Sequence, residues 1–142
     1  MTVFCPNELS LALCSAAGGI AARGSSCDIA LFPQDFFLKE PLVCRTALIP
    51  GNLPPEAGRL LRVSSAVSYG PGQRDTVTLS SYRLGAAVVS VQRELPLPGG
   101  GFLEPQDIVL HGSLPDADNL IFSVGALLVM GVKPERVSAF WC

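Results

Sequence analysis

Residues 107–132 constrain the fold of this chain more than any other stretch: Asp-Ile-Val-Leu-His-Gly-Ser-Leu-Pro-Asp-Ala-Asp-Asn-Leu-Ile-Phe-Ser-Val-Gly-Ala-Leu-Leu-Val-Met-Gly-Val. Two apolar runs flank a polar turn, and a third apolar run follows Gly125. Short apolar runs bounded by Gly, Pro, Asn and Asp read as buried strands. The stretch therefore predicts strands at 108–112, 120–122 and 126–132, with a last strand at 137–141.

The rest of the chain extends that pattern. Gly 14 and Pro 12 cut the sequence into short pieces rather than long helices. Residues 42–49 carry Val43, Thr46 and Ile49 and are closed by Pro50-Gly51. Residues 59–69 alternate in part. Residues 75–82 alternate clearly, with Val77 and Leu79 on one face and Thr76, Thr78 and Ser80 on the other. Residues 85–91 are apolar and β-branched, whereas the prolines and glycines of 95–101 exclude a central strand. Within residues 1–24, Asn7 is a candidate N-cap for a short helix, but the alternation of Leu9, Leu11 and Leu13 fits a strand equally well. A strand or irregular arm is expected there. Short strands at close spacing imply an all-β domain, a β-sandwich or jelly roll of mostly antiparallel strands. Residues 1–142 form one such domain, with 1–24 as an N-terminal arm and 133–142 as a tail or last strand.

Composition narrows the function classes. A chain of 142 residues suits one domain. Net charge is -2, which provides no electrostatic footprint for nucleic acid or an anionic membrane. Five cysteines, none spaced Cys-x-x-Cys, and the single histidine His111 argue against structural zinc. An odd cysteine count fits reduced thiols inside a cell, in cytoplasm or nucleus. No apolar run reaches transmembrane length. Residues 9–17 resemble a signal-peptide core, but no Lys or Arg precedes them and Glu8 sits at their edge, so no signal peptide is expected.

The order of segments resembles the dUTPase family, whose fold is a β-sandwich or jelly roll. Ser26-Cys27-Asp28-Ile29-Ala30-Leu31 resembles the family's first motif. Ile49-Pro50, followed by Gly58-Arg59 and Arg62-Val63-Ser64-Ser65, resembles its proline, glycine-arginine and serine-rich segment. Gly99 to Glu104 leading into Asp107-Ile108-Val109-Leu110 resembles its third motif, and Gly125 to Val132 its fourth.

That resemblance implies a nucleotide site whose reactive groups have been lost. Triphosphate hydrolysis needs a positioned water, an activating carboxylate and cations for the phosphates. Gly101 or Leu103 stands where the family has a sugar-selecting aspartate, with Glu104 nearby, and Met130 replaces a phosphate-contacting glutamine. Nucleotide contacts implied by the resemblance are Asp28, Arg62, Ser64 and Glu104. No catalytic residue, metal or cofactor is expected. The expected function is a non-catalytic dUTPase-like domain acting through protein–protein contact, such as a viral accessory protein, with homo-oligomers among its partners. The terminal Phe140, Trp141 and Cys142 are its candidate partner-binding residues. The alternatives are a nucleotide-binding or nucleotide-hydrolysing enzyme of the dUTP pyrophosphatase type, and a structural β module of a secretion apparatus. Gly99-Gly100-Gly101 lacks the lysine of a phosphate-binding loop, and His111 lacks an assured orienting carboxylate.

Overall fold

The computed structural model describes residues 1–141. Along the chain run β1 (Thr2–Phe4), α1 (Glu8–Ala16), β2 (Ile20–Ala21), β3 (Ser26–Leu31), β4 (Leu42–Pro50), β5 (Leu61–Tyr69), β6 (Val77–Arg83), β7 (Ala86–Val91), β8 (Leu95–Pro96), β9 (Phe102–Leu103), β10 (Gln106–His111), α2 (Ala117–Val129) and α3 (Pro134–Val137). Eight strands form one sheet in the order β10-β7-β6-β5-β4-β3-β1-β2, and β8 and β9 form a separate hairpin. From β2 to β6 every pairing is parallel; only β6–β7 and β7–β10 are antiparallel within the main sheet. The architecture is mixed α/β, with 24% helix and 37% strand. It corrects the expectation of an all-β sandwich or jelly roll, and with it the fold that the dUTPase resemblance implied.

The correction falls on the stretch that carried the expectation. Residues 106–111 are a strand, but the two apolar runs after it are one helix, α2. A continuous apolar run reads alike as buried strand or buried helix, and the number of residues between caps decides. Asp116 caps α2 by accepting the Asn119 amide at 3.3 Å, so the predicted polar turn is a helix start. At the other end the Gly131 amide donates to the Leu128 carbonyl and the Val132 amide to the Leu127 carbonyl, a Schellman closure with Gly131 at φ 93. Every residue from Leu120 to Val129 is buried. A helix apolar all round is one enclosed on all sides. Gly125 allows the close approach to β4, since a Cβ there would stand 3.0 Å from Leu48 Cδ1.

The two faces of the sheet are covered differently. On one, Leu13 of α1 and Leu120, Leu127 and Leu128 of α2 pack with Val3, Ile29, Leu31, Leu48 and Val67 of the strands. On the other, Phe36 and Leu38 from the β3–β4 connection pack on Ala30, Phe32, Leu42, Cys44 and Ala47. Phe4, Phe32 and Phe36 form a ring cluster there, with centroids 5.7 to 5.9 Å apart.

Among the described residues, Ser123 on α2 holds the one buried side-chain oxygen without a hydrogen-bond partner. An orphaned buried hydroxyl opposes folding, so Ser123→Ala should raise the unfolding free energy by about 1 kcal/mol. Urea denaturation with unchanged m-value checks this; a loss of stability would mean that the hydroxyl is satisfied in solution.

The C-terminal residues turn back on the body. Where a last strand was expected, α3 is followed by a 3-10 turn, Ser138–Trp141. The Trp141 carbonyl accepts the Ser113 amide at 3.1 Å, and the Ser138 hydroxyl donates to the Val109 carbonyl of β10 at 3.4 Å. The turn thus covers part of an edge strand that would otherwise offer unpaired backbone groups. No helix is long and apolar enough to cross a membrane.

Candidate functional site

In an open α/β sheet, ligands lie outside the carboxyl ends of the strands, where neighbouring connections diverge. Here that point lies between β1 and β3, which are hydrogen-bonded neighbours. From β1 the chain leaves through α1 to β2 on one side. From β3 it leaves through residues 32–41 to β4 on the other side. α1 packs on the α2 face and residues 36 and 38 on the opposite face.

A cavity of about 320 Å³ opens there. Asn7 and Leu9 line it from the start of α1, Pro33 and Gln34 from beyond β3, and Tyr69 from the end of β5. Asp116, Asp118, Asn119 and Phe122 line it from the start of α2. Local sequence explains the placement. Asn7 caps α1 by accepting the Ser10 amide at 2.9 Å, and the Ser10 hydroxyl accepts the Asn7 amide at 3.1 Å, a capping box in which serine takes the usual glutamate position. Asp116 caps α2 without a capping box: its carboxylate accepts the Asn119 amide, and Asn119 Nδ2 donates to its Oδ1 at 2.8 Å. Both helices therefore aim their amino ends at the crevice.

The walls are unequal in chemistry. Tyr69 is buried, donates its hydroxyl to the Phe32 carbonyl at 2.6 Å, and meets Phe122 edge-on at 5.5 Å between centroids. Burial, and after it the negative charges of Asp118 and Asp35, push its phenol above the ordinary range. Asp35 sits in the turn after β3 at φ 62, a left-handed conformation that aspartate tolerates better than most residues. The rim is thus acidic, and none of the residues lining the cavity is Lys, Arg or His. Removing the Tyr69 hydroxyl strands a buried carbonyl, so Tyr69→Phe should cost about 1–2 kcal/mol in chemical denaturation. An unchanged midpoint would mean that water replaces the phenol.

The residues singled out from sequence lie elsewhere. Asp28 is on β3, exposed, and accepts the Thr2 amide at 2.8 Å and the Thr2 hydroxyl at 3.2 Å. The Thr2 amide holds its carboxyl below the usual range. Arg62 and Ser64 are exposed on β5, and Glu104 is exposed after β9, its carbonyl accepting Gln106 Nε2. Asp28 and Arg62 stand near the amino ends of parallel strands, the end opposite the crevice. Phe140 is exposed and stacks edge-on with Trp141 at 5.2 Å, while Trp141 packs on the main core. Cys142 lies outside the described residues. Asp107 accepts from the Ser90 hydroxyl at 2.6 Å, and Ser90 in turn pairs with Ser80. His111 is four residues along the same strand, roughly 13 Å away, so Asp107 does not orient it.

Sequence reasoning missed Asn7, Gln34, Tyr69, Asp116, Asp118 and Asn119 as a group. The signal was present in two capping patterns, Asn7 to Ser10 and Asp116 to Asn119, each just after a strand. Among the described residues no group of three or more His, Cys, Asp or Glu is placed to hold a metal ion. No protein-family model, no curated protein and no solved structure matches this chain.

Proposed function

We propose that this protein is a non-catalytic binding domain whose crevice between β1 and β3 takes an ammonium or guanidinium group. That group belongs either to a free amine or to a Lys or Arg side chain of a partner protein. One observation carries the reading: a cavity at the divergence of the connections, bordered by Asp116 and Asp118 with no cation among its lining residues. The helix amino ends already have carboxylates beside them, which disfavours a further anion such as phosphate. At about 320 Å³ the cavity is of the size that encloses one small polar group. The amides of Asn7, Gln34 and Asn119 add hydrogen-bonding capacity, and Leu9 and Phe122 provide apolar walls for a methylene stem. The one phenol in this lining, Tyr69, is already committed to the Phe32 carbonyl and held protonated by burial, which supports binding rather than turnover.

Thermal-shift titration with arginine, agmatine and putrescine, against phosphate and nucleoside triphosphates with Mg2+ at matched ionic strength, tests the proposal. A cation at a hundred times its dissociation constant should stabilise the fold by about 2.7 kcal/mol. Asp118→Asn, which leaves the Asp116 cap in place, should abolish the shift. Saturation by free amine identifies a small-molecule site; saturation by Lys- or Arg-bearing peptides alone identifies a protein partner. Stabilisation by triphosphate but not by any cation would overturn the reading, as would consumption of the triphosphate.

A further inference from the structure

On β3 and β4, away from the crevice, two cysteines stand side by side. Cys27 and Cys44 are register partners across the parallel pair. Adjacent strands lie about 4.8 Å apart, inside the Cα separation that a disulfide spans, about 4.4–6.8 Å. Both side chains join the cluster formed by Phe4, Phe32, Phe36 and Leu38. They differ in access, Cys44 being buried and Cys27 half-buried. A cavity of about 420 Å³ bordered by Phe4, Phe36, Leu38 and Leu42 opens beside this cluster.

We propose that Cys27 and Cys44 are a thiol–disulfide exchange site that reacts with small-molecule disulfides, Cys27 attacking first and Cys44 resolving. The Cys27 thiolate attacks one sulfur of the incoming disulfide, forms a mixed disulfide and expels the first thiolate. Cys44 gives its proton to water, attacks the Cys27 sulfur and expels the second thiolate. The two protein thiols are oxidised by two electrons, and the small disulfide is reduced to two thiols. The order follows from the environment. The neighbouring Cys44 holds the Cys27 thiol below the ordinary range, while that same pairing and burial push Cys44 up. Cys5 provides an internal contrast: burial, with help from Cys14, pushes its thiol up to about 12. Its Sγ–H is also occupied by the Val3 carbonyl at 3.3 Å. Reactivity follows thiolate character and access, so Cys5 and Cys14 should lag.

The test uses the full chain carrying Cys142→Ser, incubated folded with oxidised glutathione, quenched in acid, unfolded, alkylated and mapped by mass spectrometry. The expected product has lost two hydrogens, carries a bridged Cys27–Cys44 peptide, and retains alkylated Cys5 and Cys14. Adding Cys44→Ser, which keeps a polar hydrogen beside Cys27 but cannot resolve, should stop the reaction at glutathione on Cys27, and adding Cys27→Ala should leave Cys44 unmodified. Wild-type Cys27 holding glutathione without resolution would overturn the proposal, as would a Cys5–Cys14 bridge formed first or both β-strand thiols remaining alkylable. Far-UV circular dichroism of both variants confirms folding, so an absent mixed disulfide in the folded Cys44→Ser protein also counts against it.

Discussion

Leu128→Ala should lower the unfolding free energy by about 3–5 kcal/mol. Leu128 is fully buried, at 0% exposure, in a helix enclosed by the sheet, α1 and α3. Two terms add: the transfer of the lost methyl groups and the cavity left in a layer that cannot collapse. Collapse is resisted because Gly125 already brings α2 against Leu48. Guanidinium denaturation followed by far-UV circular dichroism measures the loss. A cost below about 1 kcal/mol would place Leu128 at a surface and contradict the enclosed helix.

Gly51→Val should cost about as much, for a different reason. Asp75 is buried at 7% exposure among Gly51, Gly70 and Gly72, at the carboxyl ends of β4 and β5. A Cβ on Gly51 would fall 1.9 Å from Asp75 Oδ1, so the carboxylate must leave its place. In leaving it gives up the Gly72 amide, 2.9 Å from Oδ2. Losing a hydrogen bond to a charged group and overfilling the site together cost about 3–5 kcal/mol. The double variant Gly51→Val with Asp75→Ala should recover part of that loss, as a double-mutant cycle reads directly. Strict additivity of the two changes would show that they do not meet. The same glycines hold the turn after β5, and thereby the position of Tyr69 in the crevice wall.

The separation between what was legible and what was not runs through particular residues. β10 was legible as residues 108–112 because its boundaries carry turn signals. α2 was not, because its hydrophobic periodicity is erased by burial on every side. Its caps were nevertheless written: Asp116 with Asn119 at one end, Gly131 at the other. Weighed together with the unbroken run between them, they mark a helix of 13 residues rather than two strands. The parallel pairing was harder to foresee. Crossovers between parallel strands are usually helical, and here β3, β4 and β5 are joined by short connections with almost no helix, two prolines lying in each.

The sequence alone determined the chemistry available: a near-neutral chain, one histidine, five thiols, and short segments cut by glycine and proline. It also determined the capping residues, since a cap is a local hydrogen bond within three or four positions. Tertiary structure alone decided which groups meet. Asn7, Tyr69 and Asp118 come from distant parts of the chain, and only the parallel order of the sheet brings their elements to one end. Cys27 and Cys44 are partners because β3 and β4 pair in one register, and a slip of one residue would part them.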